Sequence, residues 1–141
     1  VSQSGITAAF DINTSEELWS VPVGGFETPS FSGGSVFING NMGDLVALDV
    51  KTGDVRWQRQ FPKYINEDSY FSDKEFALYK GPTLVNSHIL FSNQNGKVII
   101  LNANTGEDEG FILVDKLATS PIPADKKVFF LTAKGKLIAY K

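Results

Sequence analysis

Short runs of apolar residues follow one another along the chain, and glycine, asparagine, aspartate and serine separate them. One run of strand length occupies residues 45–48, and another begins at Val55 after only a few residues in which the chain can reverse. No long stretch places its apolar residues with the period of a helix. The pattern therefore predicts an all-β protein of consecutive antiparallel strands joined by tight turns.

The region around this reversal carries a motif that recurs in the chain. Its complete copy consists of Ala47, Asp49, Thr52, Gly53 and Trp57. A shift back by 38 positions gives an earlier copy with Ala9, Asp11, Thr14, Trp19 and, in place of the glycine, Ser15. A shift forward by 53 gives a degenerate copy with Asn102, Thr105, Gly106 and, in place of the tryptophan, Gly110. A period of about 40 with short strands is typical of β-propeller blades.

Each position of the motif has an expected structural role. The Asp49 carboxylate and the Thr52 hydroxyl can accept backbone N–H bonds in the turn, and Gly53 supplies the positive φ that the turn needs. We expect Trp57 to pack against the neighbouring blade, with its N–H reaching a backbone carbonyl and Ala47 leaving room for its ring. The polar residues of the motif are thus interpreted as turn residues and not as ligands or catalysts.

The incomplete copies predict two local differences. Ser15 should cost about 1 kcal/mol if its φ is positive like that of a glycine. Phe111, which follows Gly110, is expected to take the place of the missing tryptophan.

The spacing divides residues 1–141 into a single partial β-propeller of four-stranded antiparallel blades. The predicted parts are the end of one blade at 1–25, a full blade at 26–61, an inserted loop at 62–80, a full blade at 81–117, and a last blade lacking its outer strand at 118–141. These make about three and a quarter blades, which cannot close a ring alone. We expect the remaining blades to lie upstream of Val1.

The segment 62–80 breaks the period and mixes charges with aromatic residues. Exposed aromatics among charges suggest contact with a partner protein, and the candidates are Tyr64, Tyr70, Phe71 and Phe76. The alternative is a long surface loop whose aromatic residues tuck onto the propeller.

Composition narrows the possible functions. The net charge is −3 with no basic stripe, which argues against nucleic acid as a partner. The chain has no cysteine, which excludes disulfides and thiolate metal sites, and the only histidine, His88, cannot build a zinc site alone. His88 adjoins Ser87, but neighbours on a strand point to opposite faces and no acidic partner is indicated. The sequence therefore predicts no catalytic residue, metal or cofactor.

The complete motif resembles the tryptophan-docking motif of the propeller repeat of pyrroloquinoline-quinone type. Residues 17–29, 81–85, 119–121 and 135–140 resemble the BamB-like outer-membrane protein assembly factors, and the last two groups resemble their C-terminal end. The resemblance implies the last three-plus blades of an eight-bladed propeller.

The resemblance also implies a non-catalytic scaffold for inserting β-barrel proteins into the bacterial outer membrane. Its implied partners are a BamA-like barrel assembly protein and unfolded β-barrel precursors. Its implied location is the periplasmic side of the outer membrane, through a lipid anchor outside this chain. The unfilled strand edge beside residues 136–140 predicts that the chain can also self-associate.

Two other functions fit the same repeat. One is a fragment of a quinoprotein dehydrogenase, since the propellers of that class contain a repeat similar to this one. Such enzymes typically hold their quinone with a vicinal disulfide and a calcium ion. The other is a propeller module that binds an unrelated protein.

Overall fold

The computed structural model describes residues 1–65 and 74–141. Strands and turns make up these residues, and none of them is helical. The strands are β1 Thr7–Phe10, β2 Glu17–Val21, β3 Ser30–Ser32, β4 Ser35–Asn39, β5 Asp44–Asp49, β6 Val55–Gln60, β7 Tyr79–Val85, β8 His88–Asn93, β9 Lys97–Asn102, β10 Asp108–Leu113, β11 Ile122–Ala124, β12 Lys127–Leu131 and β13 Leu137–Tyr140. The part of the chain that the structure describes contains no helix with the length and apolarity needed to cross a membrane.

Four antiparallel sheets follow one another along the chain. The first contains β1 and β2, the second β3 to β6, the third β7 to β10, and the fourth β11 to β13, and each strand pairs with its sequence neighbour. The fold class predicted from the spacing, an all-β partial propeller with four-stranded blades, is confirmed. Strand order within each sheet is sequential because every connection is short enough to return directly to the adjacent position.

The innermost strands of successive sheets touch, since β7 lies against both β3 and β11. Serine and threonine side chains join these strands through hydrogen bonds to the carbonyls of two prolines, Pro82 and Pro121. The Ser30 hydroxyl donates to the carbonyl of Pro82, and the Thr83 hydroxyl donates to the carbonyl of Pro121 at 2.9 Å. These bonds link the inner edges of neighbouring sheets.

Apolar side chains fill the spaces between the sheets in three clusters. Ile38, Val46 and Leu48 of the second sheet pack against the first. The largest cluster joins the second and third sheets and contains Phe37, Leu45, Ala47, Phe61, Ile89, Phe91, Leu101 and Ala103. The third joins the third and fourth sheets through Leu90, Val98, Leu117 and Phe130. Burying one such large side chain contributes about 1.5–3 kcal/mol, so these layers hold neighbouring sheets face to face.

Consecutive connections lie at opposite ends of the strands. We call one end the turn end; it carries the short connections within strand pairs β1–β2, β3–β4, β5–β6, β7–β8, β9–β10 and β11–β12. The other, the loop end, carries the remaining connections, including every connection from one sheet to the next. The motif copies lie at the turn end, and the described residues of the connection between β6 and β7 lie at the loop end.

The predicted limits of the inserted loop need one correction. β7 begins at Tyr79, two residues before the predicted boundary at 81. Tyr79 is drawn into the sheet because its ring stacks on that of Phe91, with centroids 5.0 Å apart, and its carbonyl accepts a bond from Asn39 Nδ2 at 2.9 Å. Neither contact follows from the local sequence.

Candidate functional site

The turn between β5 and β6 holds the complete motif. Asp49 Oδ1 accepts the backbone N–H groups of Lys51 at 2.8 Å and Thr52 at 3.3 Å. The Thr52 hydroxyl accepts the N–H of Asp54 at 3.3 Å. Gly53 has a φ of 77° and donates its N–H to the Asp49 carbonyl at 2.9 Å. The polar side chains of the motif therefore accept backbone N–H groups of their own turn and stabilise it.

The other copies build the same turn. Asp11 Oδ1 accepts the N–H groups of Asn13 and Thr14 at 2.8 Å and 3.0 Å. Asn102 Oδ1 does the same in the later copy, at 2.9 Å and 3.3 Å from the N–H groups two and three residues on. Ser15 has a φ of 62°, so this residue does adopt the conformation that glycine prefers.

These bonds also set the protonation of the two aspartates. The Arg56 guanidinium, followed by the backbone N–H of Lys51, lowers the pKa of Asp49 below its usual value. The backbone N–H groups of Thr14 and Asn13 lower the pKa of Asp11 in the same way. Both side chains are ionised near neutral pH, and a carboxyl group that holds no proton there cannot act as a general acid.

Both tryptophans connect their own sheet to the next. Trp19 of the first sheet donates Nε1–H to the carbonyl of Val50 in the second, at 2.9 Å. Trp57 of the second sheet donates Nε1–H to the carbonyl of Ala103 in the third, at 3.1 Å. Each indole therefore reaches the motif turn of the following blade, in the manner that the sequence predicts for Trp57.

Small residues stand beside each ring. Ala9 pairs directly with Trp19 across the strands, and Ala47 pairs with Trp57. Ala47 is fully buried in the cluster between the second and third sheets. A larger side chain at this position would compete with the indole for the same space.

The motif glycines have a second role that the sequence does not reveal. A Cβ atom on Gly53 would lie 2.8 Å from the ring of Trp19, and one on Gly106 would lie 2.7 Å from the ring of Trp57. The glycine of each turn is thus the surface on which the previous blade's indole rests. The signal was present in the repeat spacing, since each tryptophan precedes the next motif turn, but only the sheet arrangement shows the contact.

One expectation for the degenerate copy is wrong. Phe111 does not replace the missing tryptophan, because its side chain is 57% exposed and lies under Lys97 Nζ, 4.8 Å from the ring centroid. Lys97 and Phe111 belong to adjacent strands of the same sheet, so this contact joins no blades.

Next to the turn, one side chain of the second sheet bonds side chains on two other strands of that sheet, an arrangement we call the clasp. Arg56 of β6 bonds Asp49 of β5 at 2.6 Å and the Ser35 hydroxyl of β4 at 2.9 Å. All three positions recur in the third sheet at an offset of 53, where the residues are His88, Asn102 and Glu109.

The third sheet closes the same clasp with a glutamate at the position of the arginine. Glu109 Oε2 lies 2.8 Å from His88 Nε2, and Glu109 Oε1 accepts a bond from Asn102 Nδ2 at 2.9 Å. His88 therefore does have an acidic partner, contrary to the sequence analysis. The offset that maps Arg56 onto Glu109 could have revealed it. The correspondence with a structural clasp in the second sheet identifies this pair as part of the sheet and not as a catalytic dyad.

At the loop end, the described parts of the segment 62–80 pair with each other. Ile65 N–H donates to the Glu75 carbonyl and Ala77 N–H donates to the Lys63 carbonyl, both at 2.9 Å. Between these bonds the rings of Tyr64 and Phe76 face each other with centroids 5.1 Å apart. Two lysines flank the rings: Lys63 Nζ lies 5.9 Å and 5.8 Å from the two centroids, and Lys74 Nζ lies 5.2 Å from that of Tyr64.

The predicted partner contacts fall into two groups. Tyr64 and Phe76 come together, as just described, and Phe76 is exposed. Tyr70 and Phe71 lie outside the described residues. A role for any of the four in binding a partner stays a prediction.

A cleft opens beside the two bonded segments that carry Tyr64 and Phe76. Its volume is about 520 Å³, within the range of about 300–1,000 Å³ usual for ligand sites. The exposed Phe26 and Leu78 and the buried Leu117 are among the residues that line it. It is bounded by connections of the second, third and fourth sheets, so only the assembled fold creates it.

The residues described do not suit a quinone cofactor. Both indoles are already engaged with the next blade through their N–H groups and their contact with a turn glycine. A vicinal disulfide cannot form without cysteine. Within 1–65 and 74–141, no group of three or more histidine, cysteine or carboxylate residues is placed to hold a metal ion.

Comparison with known proteins gives a consistent relationship. The model of a family described as outer membrane protein assembly factor BamB matches residues 1–141. The chain is 30% identical over 131 residues to the outer membrane protein assembly factor BamB of Yersinia pestis, covering 87% of this chain and 33% of that protein. It thus spans about a third of the length of this curated relative.

Solved structures show the same fold. The crystal structure of BamB from Moraxella catarrhalis matches 98% of this chain and 44% of its own, with a TM-score of 0.72 and 20% identity. Quinohemoprotein alcohol dehydrogenase from Comamonas testosteroni matches 80% of this chain and 19% of its own, with a TM-score of 0.59 and 20% identity. At such identities the likeness shows the propeller architecture alone.

Proposed function

The chain belongs to the family of the outer membrane protein assembly factor BamB, and from that premise we propose that it is part of a non-catalytic scaffold. The scaffold would support the assembly and insertion of β-barrel proteins into the bacterial outer membrane through contacts between proteins. The family match over residues 1–141 is the observation that carries this proposal.

The distribution of polar and apolar residues supports a binding role. The motif aspartates, threonines and glycines are used within the turns, and the indoles are used between sheets. The exposed apolar side chains at the loop end include Phe26 and Leu78, which line the cleft. Propeller faces commonly present their loops to partners, and a rigid ring of blades holds such loops in place.

The proposed partners are a BamA-like barrel assembly protein and unfolded β-barrel precursors. The proposed location is the periplasmic side of the outer membrane, reached through a lipid anchor outside this chain. Self-association through the edge of β13 also stays a prediction, to be checked by ultracentrifugation across a concentration series.

The test is a binding measurement with the full-length protein. Immobilised periplasmic domains of the BamA-like protein from the same organism should retain it, and a propeller protein from outside this family should not be retained under the same salt. Failure to bind would withdraw this partner and favour a propeller module with an unrelated one.

The dehydrogenase alternative is separated by spectroscopy. Full-length protein reconstituted with pyrroloquinoline quinone and calcium should show neither bound-quinone absorbance after gel filtration nor calcium-dependent alcohol oxidation. Either signal would replace the scaffold proposal with an enzymatic one.

A further inference from the structure

Exposed apolar side chains fall into groups with different explanations. Several belong to the sheets that have fewer than four strands here, including Phe10, Leu18, Leu137 and Tyr140. Another group belongs to connections between strands at the loop end and comprises Phe26, Met42, Ile65, Phe76 and Leu78. A missing strand does not explain the second group, and clustered exposed apolar residues usually mark an interaction site.

Two members of that group stand on one side of an extended stretch. Phe76 and Leu78 are exposed, whereas Ala77 and Tyr79 between and after them are partly covered. Leu78 and Phe26 are exposed and both line the cleft, so the part of its lining that faces solvent, which we call the mouth, includes two large apolar side chains. The stretch is held from beneath by Tyr79, whose hydroxyl donates to the Pro62 carbonyl at 2.9 Å. The apolar mouth is therefore held in place before any partner arrives.

The backbone of this stretch is already bonded. The Gln94 side chain accepts the N–H of Leu78 through Oε1 and donates Nε2–H to the carbonyl of Phe76 at 2.9 Å. Gln94 thus takes the place that an added β-strand would occupy. A partner must consequently be recognised through its side chains and not by strand addition.

Two carboxylates and two ammonium groups line the cleft. Glu27 accepts a bond from the Ser120 hydroxyl at 3.4 Å, and Glu75 has a partner of its own. Lys80 and Lys116 also line the cleft, and among the described residues neither ammonium group has a hydrogen-bond or ion-pair partner. An incoming carboxylate would therefore find unpaired cations beside an apolar surface.

We propose that this cleft binds a partner segment in which a large apolar side chain, aromatic in the best case, is flanked by acidic residues. The aromatic group would lie between Phe26 and Leu78, and the carboxylates would pair with Lys80 and Lys116. The inference rests on the proposed function, since it describes the chemistry of the protein partner that the scaffold would take. It commits to a protein segment because the lining is neither enclosed nor metal-binding.

The first experiment uses full-length protein and a pair of short peptides, acetylated and amidated, that carry one tryptophan flanked either by glutamates or by lysines. The dissociation constants are measured by the fluorescence anisotropy of a dye attached to each peptide, or by calorimetry. The glutamate peptide should bind about tenfold more tightly than the lysine peptide, and the difference should shrink in high salt. Equal affinity, or preference for the lysine peptide, overturns the proposal.

Matched variants locate the binding site. Leu78→Ser should weaken the glutamate peptide about tenfold, whereas Leu113→Ser should not, although the two leucines are 65% and 68% exposed. Lys116→Glu should weaken it about fivefold, and Lys51→Glu, at the turn end, should leave it unchanged. Equal losses at the cleft and control positions would mean nonspecific attraction and overturn the assignment.

Failure of this inference is distinguishable from failure of the proposed function. Retention by the BamA-like domains with binding of neither peptide leaves the scaffold and removes the cleft. Binding of the glutamate peptide, lost in Leu78→Ser, without retention by those domains supports the cleft and removes the BamA-like partner.

Discussion

The turn end and the loop end of the same sheets use their residues in opposite ways. At the turn end, Asp49 and its counterparts close tight turns, and Trp19 and Trp57 dock onto the next turn. At the loop end, Phe26 and Leu78 are exposed around a cleft, and the ammonium groups of Lys80 and Lys116, which also line it, have no hydrogen-bond or ion-pair partner among the described residues. The comparison indicates that the repeated motif builds the propeller, whereas the irregular connections are available for binding.

The largest expected effect is the loss of an indole at the turn end. Trp57→Ala should lower the free energy of unfolding by about 3 kcal/mol, because it empties a partly buried site between two sheets and removes the donor to the Ala103 carbonyl. Trp57→Phe should cost less, since the ring stays and the bond to Ala103 is lost. Urea unfolding of the full-length protein measures both, and equal losses would show that the hydrogen bond, not the ring, dominates.

The glycine beneath the indole should give the next largest effect. Gly106→Ala meets both a φ of 74° and a ring atom of Trp57 at 2.7 Å. Gly33→Ala is the matched control, because its φ is 56° and nothing lies near its added Cβ. We expect about 1 kcal/mol at Gly33 and about 2–4 kcal/mol at Gly106.

A double variant isolates the contact. In a Trp57→Ala background, Gly106→Ala should cost about as much as Gly33→Ala, because the ring that causes the clash is gone. An undiminished cost would mean that Gly106 acts only through its φ.

A smaller effect is expected at Asp49, and it should depend on pH. The pKa of Asp49 is lowered, so its stabilising contribution is present above the pKa of the unfolded chain, about 3.9, and is lost as pH falls through the lower folded value. The loss of stability in Asp49→Asn should therefore be measurable at pH 7 and narrow on acidification. A gap that stays constant down to pH 3 would show that the charge of Asp49 does not contribute.

The smallest effect on stability is expected at the loop end. Leu78→Ser should change the free energy of unfolding by less than about 0.5 kcal/mol, because the side chain is mostly exposed. A cost above about 1 kcal/mol would assign Leu78 to the structural core and end the contrast between the two ends.

Much of the turn end could be predicted from sequence alone. The Asp49 turn, the positive φ of Gly53 and the bonding of Trp57 to a neighbouring carbonyl each depend on a few residues and a repeat that returns the same environment. The prediction was wrong for the third copy of the motif, where a glycine replaces the tryptophan. Phe111 follows the vacant tryptophan position, and because neighbours on a strand point to opposite faces, its ring lies against Lys97 of its own sheet.

By itself, the sequence determined the all-β architecture, the order of the blades and the chemistry of their turns, because these follow from alternation and from residues a few positions apart. Strand pairing and sheet packing set which side chains meet: Gly106 under Trp57 between two sheets, Glu109 beside His88 within the third sheet, and the residues of three sheets around the cleft. The physical reason is distance along the chain. The repeat offset shows which positions correspond, but contacts of this kind join residues far apart in the chain and exist only once the strands have paired and the sheets have packed.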